Sequence, residues 1–387
     1  MHTLTTTQDL AAFCAHARNF PYVTIDTEFL REKTYWPKLC LVQLALPGDA
    51  ETDAVLVDPL VDGLSLEPLY ELLRDTSVIK VFHAARQDLE IFFVEGNVFP
   101  DPLFDTQVAG MVCGYGEQAS YETLARSLAK VQVDKSSRFT DWTRRPLSEA
   151  QQIYALADVT HLRTIYEALK GQLEKSGRSE WIDDELATLT DPATYTTVPE
   201  DAWLKVRTRS HQPRFLAIVK ELARFREEFA ISQNIARSRL FKDDALLEIA
   251  SAKPTNLEEL QRCRLLFREG RKPDVVEGIL AAVKRALALP NSALPKPQDE
   301  ESAKPGSPAL VDLLKVLLKA RAESSRTAQR LIASSSDIDR LAAGDRDVPV
   351  LDGWRFDAFG RDALRLCEGQ VALTWKGKGL KVIDVQT

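Results

Sequence analysis

Asp26 and Glu28 stand one residue apart in VTIDTEF (23–29), a stretch otherwise fit for a buried strand. A strand alternates its faces with period two, so Val23, Ile25 and Phe29 share one face and Thr24, Asp26 and Glu28 the other. Like charges side by side on a strand repel. Either that face is solvated, or a cation lies against it. More acids follow. Asp88 falls in VFHAARQDLEIFF, early in a helical pattern that follows a strand pattern. Asp158 falls in YALADVTHL, four residues after Tyr154, which sets phenol and carboxylate one turn apart on one helix face. Taken singly, Asp88 suits a helix N-terminus and Tyr154 a half-buried core. Taken together, further acids on other elements favour a cation that cancels the repulsion over a merely solvated face.

The elements that would carry these residues are legible in outline. YVTIDTEF, LCLVQLAL and AVLVDPL read as three successive, hairpin-connected strands. Residues 65–75 have helical spacing, 77–83 are β-rich, and 84–96 read as a helix ending at Gly96. FDTQVAGMVCG and SYETLARSLAK read as short helices. A long helix spans 148–177, with Ser148 and Gln151 in capping-box spacing. Strands followed by β/α alternation predict a mixed sheet with helices around it. From about 205 the chain reads as helix and loop, with helices over 213–232, 243–251, 256–269 and 273–288. PNSALPKPQDEESAKPGSP (290–308) holds five prolines and reads as an extended linker. Helical patterns resume over 309–343 and 356–367. VALTWKGKGLKVIDV alternates about a Gly-Lys-Gly turn, the pattern of a β-hairpin. The helical units on either side of the linker raise an internal duplication.

Bulk properties narrow the class. A chain of 387 residues makes two or three domains, and 44% hydrophobic with 28% charged residues is ordinary for a globular protein. No apolar run reaches the ~18 residues of a membrane span. The N-terminus lacks the pattern of a secretory signal. Five scattered cysteines with no CxxC pair argue against a disulfide framework or zinc-thiolate site and suit a reducing cytoplasm. GxSxG, P-loop and GxGxxG motifs are absent. Net charge is −7 but unevenly spread. Residues 1–190 carry 17 basic and 29 acidic side chains, net −12, whereas 205–290 carry 18 and 11, net +7. An acidic block suited to metal is joined to a basic block suited to a polyanion.

IDTEFLREKTYWPKLCLVQLA (25–45), VFHAARQDLEIF (81–92), FDTQVAG (104–110) and YALADVTHLRTIYEAL (154–169) resemble the ribonuclease D family, DEDD exonucleases of the branch marked by a tyrosine. RSRLFKDDALLEIASAKPTNLEEL (237–260) resembles an HRDC domain, a small helical nucleic-acid-binding module. The tail, 309–387, is similar to a second, divergent HRDC-like unit. The resemblance implies an α/β ribonuclease-H-like nuclease domain, a mixed sheet with flanking helices, over 1–200. An HRDC domain over 205–290, a Pro-rich linker over 291–308 and an HRDC-like domain with a C-terminal hairpin over 309–387 would follow. It implies a 3′→5′ exoribonuclease that releases 5′-mononucleotides and trims precursor tRNAs and other small structured RNAs. Asp26, Glu28, Asp88 and Asp158 would hold two cations, Mg2+ or Mn2+, and Tyr154 would orient the attacking water. Phe29 and Leu30 are candidates to wedge against the 3′-terminal bases, and Gln87 and Asp105 to support the site or touch a ribose hydroxyl. Arg207, Arg209, Arg214, Arg237, Arg239 and Lys242 are candidate phosphate contacts. A cytoplasmic monomer with RNA as partner is expected. An exonuclease acting on single-stranded DNA and an inactive RNA-binding scaffold are the alternatives; the intact acid set with its tyrosine argues against the scaffold.

Overall fold

The computed structural model describes residues 2–48, 53–134, 136–138, 140–266, 269–295, 306–377 and 379–385. Its N-terminal half is built on strands β1 (His2–Leu4), β2 (Tyr22–Leu30), β3 (Lys38–Ala45), β4 (Ala54–Val57), β5 (Ile79–Phe82) and β6 (Leu103–Asp105). They form one sheet in the order β1-β4-β3-β2-β5-β6. β2–β3 and β3–β4 are antiparallel, and the β1–β4, β2–β5 and β5–β6 pairs are parallel. The sheet is therefore mixed, as expected. β1 and β6 were not anticipated, because three residues give no measurable alternation; β6 takes the Phe104-Asp105 start of what reads as a helix.

Helices cover both faces. α1 (Thr7–Ala17), α2 (Glu67–Arg74) and α3 (Arg86–Gly96) bury Leu10, Phe13, Leu69, Leu89 and Phe92 against Val23 and Ile25 of β2. α4 (Thr106–Val112), α5 (Tyr121–Leu124) and α6 (Glu149–Ser176) lie on the other side, followed by α7 (Asp183–Thr190). α6 begins at the anticipated capping box and ends at left-handed Gly177, and Ala155 and Val159 on it pack on the sheet beside Leu41, Ala45 and Leu56. Thr24 joins the two layers, its hydroxyl donating to the carbonyls of Val159 (2.8 Å) and Ala45 (3.1 Å).

The C-terminal half is helical: α8 (Pro213–Ser232), α9 (Arg237–Leu240), α10 (Asp243–Ala252), α11 (Leu257–Gln261), α12 (Pro273–Ala288), α13 (Pro308–Ser325), α14 (Gln329–Ile332), α15 (Ser335–Ala342), α16 (Gly353–Arg355) and α17 (Arg361–Cys367). Strands β7 (Val371–Lys376) and β8 (Gly379–Asp384) form the expected hairpin. Two helical expectations need correction. The helix over 256–269 stops at Gln261, where the Glu248 carboxylate takes the backbone N–H groups of Arg264 and Leu265. The pattern over 309–343 is three helices, broken at left-handed Arg326 and extended Ala333. Most of the Pro-rich linker, 296–305, lies outside the described residues.

The two helical units repeat one backbone course. A left-handed residue (Asn234, Arg326) follows the long helix, and an N-capping alanine (Ala236, Ala328) opens a one-turn helix. An extended residue (Phe241, Ala333) then leads into the next helix. Each unit docks through this turn. Ala236 N–H donates to the Lys33 carbonyl (3.2 Å), and Ala328 N–H to the Met111 carbonyl (2.9 Å). Asn234 Oδ1 accepts from the backbone of Tyr35 and Trp36, while the Glu117 carboxylate accepts from Gln329 and Arg330. Stacked Trp181 and Trp354, 4.3 Å apart, add to the second contact, with Arg178 and Arg355 over their outer faces.

Candidate active site

β2 runs past its parallel neighbour: β5 pairs only with Tyr22–Thr24, and β3 alone accompanies Asp26–Leu30. The carboxyl end of β2 is thus open on one side, the place where α/β sheets bind ligands. Asp26 and Glu28 point from this open end toward α6, which brings Asp158. One oxygen from each of the three lies within 4.8 Å of the others. The strand face left ambiguous by alternation is therefore an acidic face turned toward α6 and partly covered by it.

Asp88 approaches differently. α3 packs on the opposite face of the sheet, and Thr27, pointing that way between the two acids of β2, donates its hydroxyl to Asp88 Oδ1. Asp88 stands beside the trio rather than within it, yet after burial its charge is the largest influence on Asp26. The turn that delivers it is held by Asp105, whose carboxylate accepts from the backbone of Ala84 (3.1 Å), Ala85 (2.8 Å), Gln107 (2.7 Å) and Val108 (3.4 Å). Four N–H donors occupy that carboxylate, and Asp105 is 2% exposed. It supports the Asp88 turn, with three of the four donors on Oδ1 and one on Oδ2. Gln87 is exposed beside Asp88. Phe29 packs partly into the core under α1–α3, and Leu30 packs partly beside Trp142 and Tyr154 at the cleft.

The acids are strongly perturbed. Burial, then the charges of Asp88, Asp158 and Glu28, drive the Asp26 carboxyl well above its usual range. Glu28 is pushed up to about 9 by burial and then by Asp158 and Asp88, with Arg138 opposing. Burial raises Asp158 to about 7, opposed by a hydrogen bond from the Tyr154 hydroxyl and by Arg138. Asp88 also rises to about 7 through burial, opposed first by the Thr27 hydroxyl. The Tyr154 phenol is raised by burial and by Asp158, Glu28 and Asp26, so it stays protonated near neutral pH. Clustered carboxylates that resist ionisation are what a divalent cation relieves, and all-oxygen donors suit Mg2+ or Mn2+. Gln43 lies directly across from Asp26 and is fully buried, and no hydrogen-bond partner meets either amide atom among the described residues. A hydrated ion would satisfy such a group, so the residues fit a metal centre.

The neighbouring proteins agree with this geometry. Residues 1–174 match the family model described as 3′-5′ exonuclease, and 215–283 match the HRDC domain. Ribonuclease D of Jannaschia sp. is 57% identical over 384 residues, covering 99% of this chain and 100% of that protein. Ribonuclease D of Granulibacter bethesdensis is 50% identical over 385 residues, covering 98% and 96%. The chain belongs to the ribonuclease D family. As a ribonuclease D it is a 3′→5′ exoribonuclease of a metal-dependent exonuclease class. The crystal structure of Escherichia coli RNase D superposes with a TM-score of 0.80 at 31% identity, covering 95% of this chain and 98% of that one.

Four residues of this ribonuclease D site were not singled out from sequence. Thr27 and Gln43 were readable in principle, from the other face of β2 and from a polar residue inside a continuous apolar strand. The Tyr121 hydroxyl, which donates to the Asp158 carbonyl (2.7 Å), sits on a short helix whose docking against α6 is a long-range feature, and Arg138 comes from a segment with no periodic signal.

Proposed function

We propose that Asp26, Glu28, Asp88 and Asp158 hold two divalent cations, Mg2+ or Mn2+, and that the enzyme releases 5′-mononucleotides one at a time from RNA 3′ ends. The observation that carries this reading is the half-buried trio Asp26, Glu28 and Asp158, self-repelling without a cation. When bound, the ions neutralise the scissile phosphate and acidify the attacking water. The protein does the rest. β2 and α6 fix three carboxylates on facing walls, and Thr27 sets the fourth. Tyr154, packed against Trp142 with ring centroids 6.1 Å apart, keeps its proton and orients the water instead of abstracting from it. Leu30, at the lip, and Phe29 next to it are placed to bear on the 3′-terminal bases, which suits a sequence-tolerant enzyme.

Holding the body of the RNA falls to the basic helical unit over 205–290, an HRDC domain, which an HRDC-like repeat over 309–387 follows. A cavity of about 700 Å³ opens between the β2–β3 loop and the first of these, with Arg31, Lys205, Arg237 and Lys242 on its walls. Arg207, Arg209, Arg239 and Lys242 are exposed and remain phosphate contacts in this reading. Arg214 does not: it donates to the carbonyls of Ala286 (3.0 Å) and Leu289 (2.7 Å) and closes the end of α12. Arg237 is engaged by buried Glu227 (3.2 Å) and sits over the Tyr35 ring. The Escherichia coli relative is described as acting in structured RNA processing. By analogy we assign precursor tRNA 3′ ends and other small structured RNAs as substrates, to a monomer in the cytoplasm. Five free cysteines suit that compartment, and among the described residues no helix is long and apolar enough to cross a membrane.

Digestion of 5′-end-labelled RNA and DNA of matched sequence, with Mg2+, Mn2+ or EDTA, tests the assignment. RNA should shorten stepwise from its 3′ end only with metal. Equal or faster loss of the DNA would move the enzyme to single-stranded DNA.

A further inference from the structure

Trp375 is the most exposed large hydrophobic side chain among the described residues, at 70%. Tryptophan is seldom so open on a folded protein. Register explains how it comes to be there. In the β7–β8 ribbon, Leu373 pairs with Val382 and Trp375 with Leu380. Leu373, Val382 and Leu380 pack partly against the core of the second helical unit. Trp375 lies one step further out, beyond the edge of that core. Its cross-strand partner leaves most of the indole uncovered, so hairpin stabilisation alone does not account for it.

The surroundings are basic. The sequence from Trp375 to Lys381, WKGKGLK, carries three lysines in seven residues and no acid. Lys376 and Lys381 occupy the other face of the thin ribbon, and Gly377 turns the tip in the left-handed region. The nearest acid in the ribbon, Asp384, sits at its base and is bound by Arg365. Ile383, the other exposed large apolar residue of strands β7 and β8, lies on the face opposite Trp375, and exposed Val385 follows at the base of the ribbon, away from its tip, so neither merges with Trp375 into one apolar patch. The Trp181–Trp354 stack and the Arg355 ion pairs with Asp184 and Glu185 hold the unit against the nuclease, so the ribbon projects from a fixed frame.

We propose that the tip of the β7–β8 ribbon is an RNA contact, with Trp375 stacking on an unpaired base and Lys376 and Lys381 meeting the flanking phosphates. An aromatic face accepts any base, and lysines beside it track the backbone without reading sequence. Such a contact would hold the strand upstream of the end being trimmed. The inference rests on RNA being the polymer this enzyme degrades.

The test uses the full chain, with Trp375→Ala, Trp375→Phe and Lys376→Glu/Lys381→Glu beside wild type. Binding to a long oligouridylate is measured in EDTA, where nothing is hydrolysed, and trimming of a short oligouridylate is measured with Mg2+. Trp375→Ala should raise Kd for the long RNA about 5- to 150-fold, the range set by loss of one stacked base, and leave short-oligomer trimming unchanged. Trp375→Phe should recover most of the affinity. The double lysine variant should lower the salt slope by roughly 0.7 for each lost contact. Unchanged affinity in Trp375→Ala overturns the proposal. So does loss of self-association with RNA affinity intact, which would make the ribbon a protein contact. Failure of wild type to trim the short RNA would count against the exoribonuclease reading, which binding in EDTA does not depend on.

Discussion

Replacing Asp26 with asparagine should kill the enzyme and stabilise the metal-free protein. Three carboxylate oxygens lie within 4.8 Å of one another, two of the pairs involving Asp26. At an effective dielectric of about 20, full charges that far apart repel by roughly 3–4 kcal/mol a pair. The cluster is only partly ionised near neutrality, because Glu28 is raised to about 9 and Asp158 to about 7. The asparagine also weakens a hydrogen bond with the Thr27 backbone. A net gain of about 2 kcal/mol at pH 8 is expected, a Tm rise of about 4–8 °C for a domain of this size. The pH dependence has a definite sign. These carboxyls have higher pKa values folded than unfolded, so the folded state binds more protons above pH ~4. Metal-free wild type should therefore lose stability as pH rises from about 4 toward 9. Asp26→Asn should flatten that slope, and saturating Mg2+ should abolish it in wild type by binding the folded state. Thermal melts in EDTA from pH 5 to 9 provide the assay. A metal-free Asp26→Asn protein less stable than wild type at pH 8, or a wild-type Tm that climbs with pH, would refute the electrostatic reasoning.

Asp88→Asn and Asp158→Asn should each abolish turnover while keeping the fold and RNA affinity; near-wild-type hydrolysis by either removes that residue from the site. Tyr154→Phe should lower kcat by about 10²-fold or more with KM nearly constant, and a KM change at constant kcat would make the phenol a binding group instead. Arg239→Glu with Lys242→Glu should weaken binding of a tRNA-sized RNA and make its salt dependence shallower by roughly 0.7–0.9 per lost contact, while short oligomers are trimmed as before; identical slopes would leave the basic unit a structural support. Trp354→Ala should release the second helical unit, seen as faster hydrogen exchange across 178–185 and 349–356, since aromatic-to-alanine changes at packed sites cost about 3–5 kcal/mol. Unchanged exchange would place the docking energy elsewhere.

What the sequence revealed and hid follows from range. The acid pair on β2 and the Tyr154–Asp158 spacing are local patterns, and so is the Ser148–Gln151 cap of α6, which closes as read. The mixed sheet followed from strand and helix order. The arrangement of the acids did not: that Asp88 is held by Thr27 while the other three converge depends on α3 and α6 lying on opposite faces. The docking surfaces were hidden for the same reason. Tyr35 and Trp36 read as loop residues, yet they pack into the core of the first helical unit, and Tyr35 donates to buried Glu227. Cutting the chain near 200 would bare those aromatics, so charge changes are the cleaner test of RNA binding. Arg214 counted as a phosphate contact from composition alone, because nothing local shows that the end of α12 needs its guanidinium.

The most direct test is to titrate Mn2+ into the enzyme and follow bound metal by electron paramagnetic resonance and hydrolysis of a short RNA in the same samples. Two ions should bind per chain, with rate rising as they fill, and Asp158→Asn should lose bound metal and rate together. Hydrolysis in EDTA, or an Asp158→Asn enzyme that binds two ions at wild-type affinity, would contradict the metal centre described here.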